Sequence, residues 1–241
     1  LTCIKTVGKV QALEDAIKDD TANGSIGIAH TRWATHGKPT QENAHPHISN
    51  DRIALIHNGI IENFMPLKEE LIKDGYAFKT ETDTEVIVHL IHKYLEKESL
   101  KLFDAVTKTV GQLDGAYGLA VIDKEDPKRI IVARSGSPLI IGVGIGENFI
   151  ASDPAALGQV TDRFIYLEEG DIAEIKATKY KIFNSGEKVE REIVRLNQNL
   201  EDAVKGRYRH FMLKEIFEQP EVVNNTLAGK LSKIHVLEEA F

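Results

Sequence analysis

Apolar and polar residues alternate over Leu1–Thr6 of "LTCIKTVGKV", the period of a strand. "KVQALEDAIKDD" then places its apolar residues at helical spacing, and "TANG" ends the pattern. "SIGIAHTRW" reads as a second strand, followed by a Pro-, Asn- and His-rich loop, "GKPTQENAHPH". "RIALIHN" predicts a third strand with a sharp turn at Gly59. "MPLKEELIKDG", "DTEVIVHLIHKYLEKE" and "LKLFDAVTKTVGQL" predict three helices. Gly75 closes the first, and Thr82 or Asp83 is placed to cap the second.

The texture changes at Gly115. From there to about Val194 the chain is mostly short β-branched strands, such as "AYGLAVID", "RIIVARS" and "PLIIGVG", joined by Gly, Pro and Asp. "YRHFMLKEIFEQPEVVNNTLAGKL" turns helical again. Strand, helix and strand followed by meandering hairpins predict an α+β fold of antiparallel sheets with helices packed outside. The expected organisation is one domain over residues 1–218 and a helical connecting segment over 219–241.

Composition narrows the class. The chain has 241 residues, 42% of them hydrophobic, enough for a sizeable core. A formal charge of -7 without a basic run argues against nucleic acid as a partner. No apolar stretch reaches membrane-spanning length and no signal peptide is visible, so no membrane partner is expected. Cys3 is the single cysteine; it permits no internal disulfide and fits a reducing cytoplasm. The start at Leu1, directly on a strand pattern, reads as mid-fold, and an upstream stretch is expected.

Five segments bear chemistry. His30, His36, His45, His47 and His57 cluster, which suggests metal ligands, but none has HExxH spacing and few carboxylates stand near. They are read as donors and acceptors that tether a loop. "GVGIGEN", Gly142–Asn148, has G-x-G-x-G spacing and is followed by a strand pattern. It predicts a hairpin turn, since a phosphate-binding turn would open a helix. In "HNGIIEN" the Asn58 amide and the next backbone N–H can point at one oxygen, an oxyanion hole in which each donor is worth roughly 3 kcal/mol. Gly59 lets the backbone approach closely. "ETDTE" reads either as a capping box or as a site where Asp83 meets a ligand ammonium. In "HTRWATHG", Arg32 can fork a carboxylate, with Thr35 and His36 donating to the same anion. One carboxylate reader and one ammonium reader suit a free amino acid, whose side-chain carbonyl would face Asn58 and Gly59.

These stretches resemble the glutaminase domain of the glucosamine-6-phosphate synthases, a family of glutamine amidotransferases. "GIAHTRWATHG", "NAHPH", "HNGIIEN", "TDTEVI", "GAYGLAVI", "ARSGSPLIIGVGIGENFIASD", "LEEGDIAEI" and "YRHFMLKEIFEQP" match in family order over nearly the whole chain. Amidophosphoribosyltransferases and asparagine synthetases look similar around the Asn-Gly and Asp-Thr-Glu, but tend to lack the Trp after the Arg and the "KEIFEQP" tail. The resemblance implies an N-terminal-nucleophile hydrolase fold, two stacked antiparallel sheets between helix layers. It implies that Arg32, Thr35 and His36 hold the glutamine α-carboxylate and Asp83 the α-amino group. It implies that Asn58 and Gly59 form the oxyanion hole and that Trp33 gates ammonia passage, with simple core packing as the local alternative for that tryptophan. It implies no metal or organic cofactor. The implied partners are glutamine, a sugar-phosphate isomerase half of the complete chain, and further copies in a homo-oligomer.

One departure matters. The family's nucleophile is an N-terminal cysteine opening a "CGI(V/I)G"-like strand, with its own α-amine, titrating near pH ~8, as base. That strand is absent here, as is a "YRGYDSAG"-like segment bearing a second arginine. Cys3 lies in the strand before "GKV" with two residues ahead of it, so it has no free α-amine. The expectation is that a few tens of residues precede Leu1. If Leu1 is the natural start, the chain reads instead as a glutamine- or glutamate-binding module without a nucleophile.

Overall fold

A computed structural model of the chain describes residues 1–18, 24–34, 36–196 and 208–227. It divides into two units, 1–196 and 197–241. In the first unit the helices are α1 (Val10–Lys18), α2 (Phe64–Lys73), α3 (Glu85–Lys97) and α4 (Leu102–Val110). The strands are β1 (His47–Ser49), β2 (Ile53–Ile61), β3 (Gly115–Asp123), β4 (Ile130–Ser135), β5 (Ile140–Val143) and β6 (Asn148–Ala151). They continue as β7 (Arg163–Tyr166), β8 (Asp171–Ile175), β9 (Tyr180–Asn184), β10 (Glu187–Val189) and β11 (Val194–Arg195). In the second unit the described helix is α5 (Phe211–Leu227).

Two antiparallel sheets form, in the orders β1-β2-β3-β4-β8-β9-β10 and β11-β7-β5-β6. The period of two sorts the central strands between two cores. Leu119, Val121, Ile131 and Ala133 face one way, against Val86, Ile87, Leu90 and Ile91 of α3 and Val106 of α4. Ala120, Val132 and Ala173 face the other way, against Ile141 and Ile165 of the smaller sheet. A strand covered on both faces reads as a continuous apolar run, which is why "GLAVID" shows little alternation. Among the described residues no helix is long and apolar enough to cross a membrane.

The structure departs from the sequence pattern in three places. Leu1–Thr6 and the described part of "SIGIAHTRW" are irregular. Among the described residues neither segment pairs with a strand, and alternation alone does not make a strand without a neighbouring ladder. The expected turn at Gly59 is instead strand: β2 runs through Asn58 and Gly59 to Ile61, with Gly59 opposite Tyr117 of β3. Gly59 has φ +139, and a Cβ there would stand 2.0 Å from the Ala116 carbonyl oxygen. The Asn-Gly signal marks a close approach of two paired strands, not a chain reversal. Neither Thr82 nor Asp83 caps α3; the N-cap is Thr84, without a side-chain cap bond. "GVGIGEN" does form the β5–β6 hairpin.

A layer of neutral histidines fastens the 30–47 segment to this frame. The His30 and His45 rings stack with centroids 4.2 Å apart. His45 Nδ1 accepts the His57 backbone N–H at 3.1 Å. His57 Nδ1 lies 3.0 Å from Thr84 Oγ1, and His47 Nε2 lies 3.2 Å from Thr82 Oγ1. Burial, reinforced by the nearby His57 and Arg32, pushes His30 down to about 4, and burial with Lys5, against the pull of Glu85, pushes His47 down to about 3. Burial also depresses His45, and depresses His57 against the opposing pull of Asp83. Among the described residues no three His, Cys, Asp or Glu side chains gather as a metal would need. Tethering is what these rings do here.

Two outcomes follow from this packing. Gly59→Ala should cost about 3 kcal/mol or more, because strain at positive φ adds to a backbone clash. Urea unfolding measures it, and a loss below about 0.5 kcal/mol would contradict the close approach. The histidines give a pH dependence. Their folded pKa values lie below the unfolded value of about 6.5, so the unfolded chain takes up protons first. Their contribution is complete above about pH 6.5 and is lost as pH falls towards about 4 for His30 and about 3 for His47. The urea midpoint should therefore drop between pH 7.5 and pH 5, above the carboxylate range; a flat profile would mean that the folded rings accept protons freely.

Candidate functional site

The end of β2, the 30–33 segment and the turn before α3 converge. Arg32, Trp33, Asn58, Gly59, Asp83 and Thr84 line one cavity of about 260 Å³. Each comes from a different local cause. Asn58 and Gly59 arrive where β2 approaches β3 closely. Asp83 and Thr84 arrive on the turn that leads into α3. Arg32 and Trp33 follow His30, which the histidine layer holds.

Asp83 is 4% exposed. Its Oδ2 accepts the Ile61 backbone N–H at 2.8 Å, which fixes the carboxylate at the end of β2. A carboxylate has about four acceptor positions, so this bond leaves most of its capacity for a donor in the cavity. Burial of an unpaired charge is costly, which favours a cation there.

The guanidinium of Arg32 organises its own loop. Nη2 donates to the carbonyls of His36 and of Gly37, the latter at 3.3 Å, and Nη1 donates to Lys38 O at 3.1 Å. A guanidinium has five N–H donors, so these bonds do not exhaust it. His36 takes part through its carbonyl. Its ring packs edge-on to Phe64 at 5.6 Å and is not in the cavity lining. Thr35 lies outside the described residues.

Trp33 is 90% exposed at the rim, so it is not part of the core that the described residues form. Asn58 is exposed too, and among the described residues its side-chain amide forms no hydrogen bond, so its donors remain available. Asn58 also lines an adjoining cavity of about 450 Å³ that includes Gly118, Leu139 and Ile150. Cys3 is exposed and lines neither cavity.

Sequence reasoning missed the residues that hold the 79–84 loop. Glu85 accepts Lys79 N–H at 3.0 Å, Thr80 N–H at 2.8 Å and the Thr80 hydroxyl at 2.7 Å. Burial alone would raise its pKa, but the His89 contact and the Lys79 and Thr80 bonds outweigh that and hold it at about 2. Its place in "ETDTE" resembles a capping residue, and only the fold turns it back towards Lys79.

Comparison with known proteins bears on this arrangement. Residues 30–159 match the family described as "Glutamine amidotransferase domain". The chain is 58% identical over 242 residues to the glutamine–fructose-6-phosphate aminotransferase [isomerizing] of Idiomarina loihiensis, covering 100% of this chain and 40% of that protein. It is 58% identical over 238 residues to the protein of the same name from Pseudomonas putida, covering 98% and 39%. The chain thus spans about 40% of the length of the curated relatives it matches. Among solved structures, the glutamine phosphoribosylpyrophosphate amidotransferase from B. subtilis, complexed with ADP and GMP, superposes with a TM-score of 0.53 at 30% identity. That overlap covers 64% of this chain and 34% of the other. The likeness bears out the α+β N-terminal-nucleophile fold with two antiparallel sheets. With more than half of its length inside the matched segment, the chain belongs to the glutamine amidotransferase domain family.

Proposed function

We propose that the cavity binds free glutamine and that, in the complete protein, the side-chain amide is hydrolysed to glutamate and ammonia. The observation that supports this best is the convergence of a guanidinium, a buried carboxylate and an Asn-Gly pair, from three separate segments, on one cavity. In this reading Arg32, with Thr35, holds the α-carboxylate, and His36 supports it from the loop, through the carbonyl that Arg32 grips, rather than from the cavity lining. Asp83 holds the α-ammonium. Asn58 and the Gly59 N–H receive the oxyanion. Trp33, exposed at the rim, gates the departing ammonia.

The chemistry runs as acyl transfer. A cysteine thiolate attacks the amide carbon, and the oxygen takes up negative charge between Asn58 and Gly59. The α-amine of that cysteine, which took the thiol proton, returns it to the leaving nitrogen, so that ammonia leaves as the carbon–nitrogen bond breaks and a thioester remains. Water then releases glutamate. This needs a thiol that the cavity's described lining does not include, and the family's N-terminal cysteine is the proposed source. The relatives' name suggests the acceptor of the ammonia, fructose-6-phosphate, in an isomerase half that follows the 219–241 segment. A domain over 1–218, a homo-oligomer and a cytoplasmic location belong to the same reading, and no cofactor is required for it.

A second reading is favoured by the position of Cys3. An exposed cysteine away from the cavity would leave residues 1–241, acting alone, a binding module without turnover. Calorimetry with glutamine, beside an ammonia-release assay, separates the two readings.

Arg32→Lys should weaken glutamine binding about tenfold or more, since an ammonium cannot reproduce the fork. An unchanged Kd would remove Arg32 from the carboxylate site. In a protein that includes the nucleophile, Asn58→Ala should cut kcat by about a hundredfold or more with little change in binding. Weaker binding with normal turnover would make Asn58 a binding residue instead.

A further inference from the structure

The two proposed readers of the amino acid, Arg32 and Asp83, lie far apart in the chain. A buried amide bridges their loops. Asn43 is 3% exposed and lies outside the lining of the 260 Å³ cavity. Its Nδ2 donates to Lys38 O at 3.0 Å and to Glu81 Oε2 at 3.2 Å. Its Oδ1 accepts the Glu81 backbone N–H at 3.0 Å. Glu81 Oε2 also accepts the Lys38 backbone N–H at 3.1 Å, closing a ring through Lys38, Asn43 and Glu81.

Each side of this ring leads to one reader. Lys38 O, the acceptor for Asn43, also accepts Arg32 Nη1 at 3.1 Å. On the other side, Glu81 stands two residues before Asp83, whose Oδ2 is fixed by Ile61 N–H. The seam between the loops is tight. Gly37 has φ +77, and a Cβ there would stand 2.8 Å from Asn43 Nδ2 and 2.9 Å from Glu81 Cβ. The Lys38 N–H, and then the Asn43 amide, hold the Glu81 carboxyl below its ordinary range although it is exposed.

We infer that Asn43 is a positioning residue that sets the spacing between the Arg32 guanidinium and the Asp83 carboxylate, so that the cavity selects a ligand with both an α-carboxylate and an α-ammonium. The inference rests on the glutamine reading and deepens it. Asn43 touches no ligand; it acts by locking the loops that hold the readers, and a preorganised pair discriminates better than two readers that move independently. Asn is suited to the place because one side chain supplies both a donor and an acceptor to the same neighbour. Asp would offer only acceptors and would set a second carboxylate against Glu81.

The test compares two probes by calorimetry on this chain: L-glutamine, and glutaramate, the same amide without the α-amino group. Asn43→Asp should weaken glutamine binding about tenfold while glutaramate changes much less, so that selectivity collapses. Adding Glu81→Gln to Asn43→Asp restores a donor facing an acceptor between residues 43 and 81 but not the bond to Lys38 O, and should recover part of the lost glutamine affinity. Equal losses for both probes, no loss, or no recovery in the double variant would overturn the inference, because a merely structural residue lowers stability without changing selectivity. If Asn43→Asp does not fold, Glu81→Ala at the exposed side of the ring replaces it, and unchanged selectivity there overturns the inference equally. Failure of the wild-type chain to bind glutamine would overturn the underlying reading as well. Wild-type binding with unaltered variants would overturn only the role of Asn43.

Discussion

The hydrogen bond from Ile61 N–H to the buried carboxylate of Asp83 fixes the geometry on which the cavity depends. It ties the turn before α3 to the last residue of β2. The same strand, two and three residues earlier, presents Gly59 and Asn58. Carboxylate, amide and glycine are therefore registered by one stretch of backbone. Only a glycine can stand at that position, because β2 and β3 approach too closely for a Cβ. A single constraint, the close approach of two paired strands, serves the frame and the site together.

Electrostatics follow from what is kept neutral. Several histidines surround the cavity, yet burial depresses His30, His45, His47 and His57, so the rings add hydrogen-bonding groups without adding charge. The permanent charges in the lining are Arg32 and Asp83. A positive and a negative end within one small cavity suit a zwitterion better than a simple anion or cation. Protonating the rings would blur that pattern, and holding their pKa values low protects it near neutral pH.

Much of this was legible in the sequence, and the gaps have physical reasons. The buried strands and α2–α4 could be read because periodicity and breakers are local signals. The Asn-Gly pair misled because the same dipeptide serves a hairpin turn and a close approach of paired strands, and only the partner strand distinguishes them. Leu1–Thr6 and the segment before His30 alternate like strands, but a ladder depends on a neighbour that local pattern does not reveal. Arg32, Asn58, Gly59 and Asp83 could be picked out by residue chemistry and Trp33 by the family resemblance, and all five share one cavity. Asn43, Glu81 and Glu85 could not. Their importance lies in bonds to backbone atoms of other segments, and such bonds leave no spacing rule in the chain.

Arg32 shows why those supporting bonds matter. In this structure its guanidinium closes the 36–38 loop by donating to three backbone carbonyls. A side chain that both shapes a loop and is proposed to read an anion couples the two: drawing the guanidinium towards a ligand would loosen the loop unless something else held it. Asn43 and Glu81 supply that hold, because their ring grips Lys38 by both its N–H and its carbonyl, independently of Arg32. The loop is then braced from two sides, and the remaining N–H groups of Arg32 can serve a carboxylate without the loop having to reorganise. Preorganisation of this kind lowers the entropy lost on binding, and it is achieved by residues that never meet the ligand.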